Sequence, residues 1–458
     1  MRLLIDLQGY QTEASRFRGI GRYTRDIVSK ICGLSENNEI IIALNGAYKK
    51  ENEEITNFFG SLFRNIRIVT WNQIDRVNFW IEPGECPKEA KARRVISEKM
   101  RELFFARFQP DFVLITSLIE GTGNAITSVG HFKQFYPVAT IFYDLIHLVY
   151  PDQYLNDYRV KQCYYSKISH LHRSDLIFTI SESTRQDVIH RLEIPDDKVV
   201  NISSACDQML FCCKNDEAAF QDFLKQNSIF KPYVLYTASL DSRKNLRKLI
   251  DAWRSLPDLI KNNYQLVIVC ALKQHEREMV NREFLDNAIL NSIIFTGHVN
   301  DDLLASLYRN CSLFVFPSLY EGFGLPVLEA MSCGAPVIAS NASAIPEIID
   351  IPEAMFDPNE PADITRQLEN YLSSDGLRKS LASRCLLKST HFSWEKSANI
   401  LLDSLQFYLK QFSCKPSLKF SDSELCEILI TSVEPYLRDI PKKDLKNIAD
   451  SIESNFLK

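Results

Sequence analysis

Two carboxylates, Glu321 and Glu329, bracket the nonapeptide Glu-Gly-Phe-Gly-Leu-Pro-Val-Leu-Glu, which follows an apolar run at 312–316. The run predicts a buried strand. Pro326 predicts the first turn of a helix, where an N–H would have no partner within the helix anyway. Gly322 and Gly324 allow backbone N–H groups to approach an anion closely, and a helix start adds free donors and partial positive charge. Carboxylates beside a phosphate would repel it, so these two are expected to accept hydrogen bonds from hydroxyls. Glu329 is expected in the first helical turn, leaning back towards the N-terminus to take a ribose diol. Glu321 is expected in the loop, nearer a transferred sugar. A ligand with phosphates in the middle and hydroxyls on both sides is a nucleotide-sugar. The plainer alternative is two exposed glutamates, one of them favourable near a positive helix end.

Three further segments lie at predicted helix starts after strands, where open α/β sheets bind ligands. In Thr-Ala-Ser-Leu-Asp-Ser-Arg-Lys-Asn at 237–245, Arg243 and Lys244 are placed to clamp a diphosphate and neutralise a leaving group; the alternative is a solvated basic pair. In Arg-Gly-Ile-Gly-Arg-Tyr at 18–23, Gly19 and Gly21 offer backbone donors and Arg22 offers charge; the alternative is a tight turn. In Tyr-Asp-Leu-Ile-His at 143–147, Asp144 and His147 are placed to bind acceptor hydroxyls or assist proton transfer, or to be structural. The remaining histidines lack metal-ligand spacing, so no metal site is expected.

These segments need a scaffold of strands and helices. Apolar runs at 3–7, 40–44, 66–69, 112–115, 138–142 and 176–180 alternate with helical periodicity at 23–31, 90–108, 157–172 and 184–192. The alternation restarts at 233–236 and continues through 266–269, 293–296, 313–316 and 336–339, with helices between them, including 245–255 and 276–288. Such alternation predicts an α/β chain with two mainly parallel, doubly wound sheets. The expectation is two Rossmann-like domains facing each other across a central cleft. Expected boundaries are 1–205 for an N-terminal acceptor domain, 206–230 for a linker, 231–392 for a nucleotide-sugar domain, 393–412 for a further helix and 413–458 for a short helical tail.

The 458 residues carry a net charge of −5 without long basic runs, which argues against nucleic acid as a partner. Asp6 interrupts any signal-peptide core, and no apolar run approaches a membrane span. The twelve cysteines lack paired C-x-x-C spacing and are expected to be reduced thiols of a cytoplasmic protein. Peripheral contact with the inner face of the cell membrane, or with an assembly partner, stays open.

Glu321 and Glu329 form an E-x7-E motif followed by Ala-Met-Ser-Cys-Gly-Ala-Pro-Val-Ile; Lys244 follows the run at 233–236, and Gly297 and Val299 precede the helix at Asp301. On these residues the chain resembles the family-4 retaining glycosyltransferases of the GT-B fold over about residues 1–412. The resemblance implies that Glu329 binds the donor ribose. Glu321 would lie by the donor sugar with the amides of Gly322, Phe323, Gly324 and Leu325. Lys244 and a nearby arginine would bind the diphosphate, the segment at Val299 would pack on the base, and the helix near Trp394 would cross back to the first domain. Ile5-Asp-Leu-Gln-Gly9, Phe17-Arg-Gly-Ile-Gly-Arg-Tyr23, Ser117-Leu-Ile-Glu-Gly121 and Tyr143-Asp-Leu-Ile146 resemble bacterial O-antigen mannosyltransferases. Those proteins often join several transferase modules, and the tail after 413 is similar to their inter-module connector. Two positions depart from the family pattern. Ser239 stands where members often have arginine, which turns attention to Arg243, and Tyr143 stands where they have histidine, a place His147 does not fill.

The implied function is transfer of a hexose, mannose from GDP-mannose, to a growing glycan or lipid-linked glycan such as O-antigen, with retention and without cofactor or metal. Three alternatives stay open at this point: a UDP-sugar donor, a nucleotide-sugar epimerase, and a non-catalytic GT-B scaffold module.

Overall fold

The computed structural model describes residues 1–34, 38–77, 86–120, 124–213, 218–283, 289, 292–411 and 420–456. Seven strands form the first sheet: β1 (Arg2–Asp6), β2 (Glu39–Asn45), β3 (Ile66–Trp71), β4 (Phe112–Ile115), β5 (Val138–Phe142), β6 (Leu176–Thr179) and β7 (Val199–Asn201). Six form the second: β8 (Tyr233–Thr237), β9 (Gln265–Val269), β10 (Ile293–Phe295), β11 (Leu313–Phe316), β12 (Val337–Ser340) and β13 (Met355–Phe356). Their pairings are parallel, in the orders β3-β2-β1-β4-β5-β6-β7 and β10-β9-β8-β11-β12-β13. Continuous apolar runs such as Leu-Phe-Val-Phe in β11, buried at every residue, suit strands covered by helices on both faces. In each sheet the winding direction reverses once, between β1 and β4 and between β8 and β11. Loops diverge at such switch points and leave room for a ligand at the strand ends.

The chain divides into two compact units, Met1–Ile180 with Thr184–Ile202 and Trp394–Lys458, and Ser181–Ser183 with Ser203–Ser393. In the first unit, helix Trp394–Gln411 packs on helix Gly19–Leu34, and the Trp394 ring meets Tyr23 edge-on at 4.9 Å. The segment expected as a tail or connector adds helices Asp422–Leu437 and Leu445–Phe456 to this unit. Leu425, Leu429, Val433 and Phe456 are buried in the same core cluster as Leu103, Phe104 and Phe105. Periodicity marks these helices in the sequence but carries no information about the surface that receives them. The helix expected at 276–288 is seen as Gln274–Glu283. Residues 284–288, residue 121, residues 214–217 of the expected linker, and residues 412–419 and 457–458 of the C-terminal segments lie outside the described residues. Among the described residues no helix is long and apolar enough to cross a membrane.

Candidate active site

Two loops of the second unit build the site where β8 and β11 end. After β8 the chain forms a 3₁₀ turn, Ser242–Lys244, whose start is fixed by Asp241 accepting from the Arg243 amide at 3.1 Å. Asn245 follows at φ +62°, a left-handed conformation that asparagine adopts more readily than most residues. Its side-chain amide donates to the carbonyls of Pro317 at 3.0 Å and Pro358 at 2.7 Å. The Leu319 amide donates to the Arg243 carbonyl at 2.7 Å. These bonds lock the β8 loop to the β11 loop.

The lock brings together the three residues expected to act in catalysis. Lys244 Nζ lies 2.6 Å from Glu321 Oε1, Arg243 lies 3.0 Å from Glu321 Oε2, and Ser318 Oγ donates to Oε1 at 2.6 Å. Arg243 also donates to the Tyr320 carbonyl at 2.8 Å, and Lys244 sits over the Phe316 ring. Glu321 is buried, which by itself pushes its pKa up. The charges of Lys244 and Arg243, with hydrogen bonds from Lys244 and Ser318, outweigh burial and hold the carboxyl below its usual range. Glu321 is therefore an ionised partner for two cations near neutral pH, and neither carboxylate of the motif is an exposed glutamate.

Gly324 takes φ +117°, and a Cβ there would meet Ile345 Cδ1 at 2.5 Å. Helix Leu325–Ser332 begins directly after it, so Pro326 is the second helical residue. Glu329 is consequently the fifth, in the second turn and not the first as expected, because Leu325 is already helical. Its carboxylate is buried and accepts from the Tyr308 hydroxyl at 3.3 Å. Gly297 is in the left-handed region at φ +80°, Val299 is buried, and Asn300 caps helix Asp301–Asn310 through the Leu303 amide at 2.9 Å.

Several residues of this site are absent from the sequence reading. Ser318 and Ser343 fix Glu321, the latter accepting from its amide at 2.8 Å. Ser181 donates to the Gly322 carbonyl at 2.6 Å, and Glu347 accepts from the amides of Glu182 and Ser183 at 2.7 and 2.6 Å. Ser318 was findable as a hydroxyl three residues before the glutamate. Ser181 is 141 residues from Gly322, and no local signal links them.

Gly19, Gly21, Arg22, Asp144 and His147 belong to the first unit. Gly19 is the first residue of its helix, with open space around its Cβ position, whereas a Cβ on Gly21 would meet the carbonyls of Arg16 and Ser15 at 2.3 and 2.4 Å. Gly21 therefore serves close backbone packing. Arg22 is half-buried beyond it. Asp144 accepts from the Ile146 amide at 3.0 Å, and His147 stacks on Tyr164 with centroids 4.9 Å apart. Both line a pocket with Ile20, Ser117 and Tyr143 beyond the end of β5. Tyr143 donates to the Thr116 carbonyl at 2.9 Å, a bond that holds its ring in this wall.

Tertiary structure also gathers Glu98, His131 and His170, separated in sequence, with ligand atoms within 4.8 Å of one another. The Lys167 ammonium stands 3.8 Å from Glu98, and His131 is hydrogen-bonded to Glu98 at 3.1 Å. Burial pushes Glu98 up, and the His131 bond and Lys167 charge bring it down to about 2. The carboxylate is thus matched by protein cations and donors in a buried polar network.

Two doubly wound parallel sheets, with a cationic turn and a carboxylate-bearing glycine loop at the switch point of the second, define the GT-B class of glycosyltransferase fold. Residues 220–385 match the family model described as glycosyl transferases group 1, and the second unit belongs to that family. The chain is homologous to the serotype-specific mannosyltransferase WbdA of Escherichia coli, at 32% identity over 410 residues, covering 88% of this chain and 48% of WbdA. It thus spans about half the length of that relative. The O-antigen chain mannosyltransferase B of E. coli is 28% identical over 389 residues, with 82% of this chain and 93% of that protein covered. In three dimensions the chain is similar to Anabaena Alr3699/HepE in complex with UDP and glucose, with TM-score 0.62, 16% identity and coverage of 89% and 100%.

Proposed function

We propose that the chain is a retaining mannosyltransferase that moves mannose from GDP-mannose to a growing surface glycan of the O-antigen kind. The observation that carries this reading is the Lys244–Glu321–Arg243 constellation, two cations meeting on one ionised carboxylate at the end of β8, with Asp241 a further 3.2 Å partner of Arg243. Lys244 and Arg243, the latter in place of the arginine missing at Ser239, neutralise the departing diphosphate. The amides of Gly322, Phe323, Gly324 and Leu325 and the helix start add partial positive charge. Glu329 takes the ribose, Val299 packs on the base, and Glu321 orients the cations beside the sugar. Because both Glu321 oxygens are engaged by Lys244 and Arg243 and its lowered pKa makes it a weak base, acceptor deprotonation is assigned to the departing phosphate, through a front-face, oxocarbenium-like transition state. Charge compensation rests on the protein's own cations, and no step is given to a metal.

Mannose is supported by the names of two relatives, and the half-length match to WbdA supports one module of a longer multi-transferase chain. With a lipid-linked acceptor, this reading places the protein at the cytoplasmic face of the membrane. A UDP-sugar donor is the second reading, favoured by the UDP and glucose of the HepE structure. Thermal-shift titration with GDP, UDP and their hexose conjugates separates the two: stabilisation by GDP-mannose is expected, and stabilisation by UDP-sugars alone defeats the assignment. Nucleotide release that requires a glycan acceptor is expected, and acceptor-independent conversion of the donor sugar would mark an epimerase.

A further inference from the structure

The loops after β2 and β3 line a polar pocket of ≈ 600 Å³ in the first unit, with Gly46, Lys49, Asn72, Gln73, Asp75 and Asn124 in its wall. Behind the wall is a buried set of amides. Asn45 Nδ2 donates to Gln8 Oε1 at 3.0 Å and to Gln73 Oε1 at 2.8 Å, which aligns the Gln73 amide at the pocket. Gln11 in turn donates to the Asn45 carbonyl at 3.1 Å. The C-terminal helices hold the outer rim. Asn455, 1% exposed, accepts from the Asn72 amide at 2.8 Å and donates to the Asn72 carbonyl at 2.7 Å, pairing both backbone groups as a neighbouring strand would. Asp444 accepts from Arg76 at 2.9 Å.

The Gln73 amide, held by Asn45, carries donors and an acceptor on one rigid plane, and Asn124 shares the wall with it, a pairing that suits vicinal hydroxyls. Arg76 is matched by Asp444, and Asp75 accompanies Lys49 in the wall, so the lining has no net demand for an anion. From these observations we propose that the pocket is a subsite for a neutral, hydroxyl-rich oligosaccharide, gripping the body of a glycan acceptor away from its reacting end. The proposal rests on the transferase reading. In the sheet, β2 is three positions from β5, whose end carries the Asp144 and His147 pocket. At ~4.8 Å per strand that is about 14 Å, a span a monosaccharide cannot bridge and a tetrasaccharide can. Asn455 is a positioning residue, acting through the loop at Asn72.

The test compares linear α-linked mannose oligomers of one and four units as acceptors for the full chain, reading nucleotide release from GDP-mannose. Gln73→Ala and Asn124→Ala should each raise KM for the tetramer about five- to tenfold, the effect of one lost hydrogen bond to a ligand, with kcat and the monomer KM unchanged. Asn455→Ala should raise the tetramer KM in the same direction. The side chain of Asn124 makes no hydrogen bond among the described residues, so its replacement leaves the fold intact. Equal tetramer and monomer effects, or none in Asn124→Ala and Gln73→Ala, would overturn the subsite. If the wild type turns over no acceptor, the transferase reading has failed, and calorimetric titration of the tetramer decides the subsite separately. Binding weakened by both substitutions supports it, and absent or unchanged binding refutes it.

Discussion

Replacing Lys244 with methionine separates a catalytic cation from a merely structural one. The ammonium and the Glu321 carboxylate are 2.6 Å apart, where Coulomb attraction at an effective dielectric of ~20 is about 6 kcal/mol. Desolvation of the two ions offsets much of this. Removal of one partner from a buried pair costs about 3–5 kcal/mol. Arg243 and Ser318 remain on the carboxylate, so the expected loss of stability in Lys244→Met is nearer 2–3 kcal/mol, by urea unfolding. If Lys244 also neutralises the leaving diphosphate, kcat/KM for nucleotide release should fall by about 10²–10³, the usual effect of removing one charge-stabilising group. Ser318→Ala is the control, because it removes a neutral donor to the same carboxylate. It should cost about 1 kcal/mol of stability and leave kcat/KM within about threefold of wild type. A Lys244→Met protein that loses the expected stability yet turns over within about threefold of wild type would reduce Lys244 to a counter-ion, and the proposed leaving-group role would be wrong.

Gly324→Ala should destabilise the second unit by about 2 kcal/mol or more, since φ +117° is costly for any L side chain and the new Cβ would meet Ile345; an unchanged urea midpoint would contradict the turn described. Leu429→Ala, fully buried in the first unit's core, should cost about 2–4 kcal/mol by urea unfolding, whereas a loss below about 0.5 kcal/mol would show that the C-terminal helices are an appendage. His170 faces Glu98, Lys167 and His131, and burial pushes its pKa down to about 4. Below its ordinary pKa the unfolded chain binds the extra proton. Stability is therefore fully present above about pH 6.5 and lost as pH falls towards 4, roughly 2 kcal/mol between pH 7.5 and pH 5. His170→Gln should flatten that slope, and an unchanged slope would place the titration elsewhere.

The candidate site of the second unit was legible in one dimension because its elements are local. β11, the glycine loop, the helix with Pro326 in its first turn and both glutamates fall within 313–332, and the basic pair follows a readable strand. The helical position of Glu329 was misread by one residue, which moves it from the first turn into the second, since helix onset depends on the left-handed Gly324 packed against Ile345, which no spacing displays. The pairing of Lys244 with Glu321 was hidden for the same reason: it depends on β8 lying beside β11 and on Asn245 bridging the loops.

The amino-acid sequence by itself determined the alternation of strands and helices, hence two parallel sheets, and the residue types that stand at the strand ends. Those properties come from periodicity, side-chain shape and backbone freedom over a few neighbouring residues. Tertiary structure alone decided which charges meet, that Glu321 stays ionised, and that Asn455 and Leu429 complete the first unit. Burial and charge neutralisation arise only where distant segments exclude water together, and that condition has no signature along the chain.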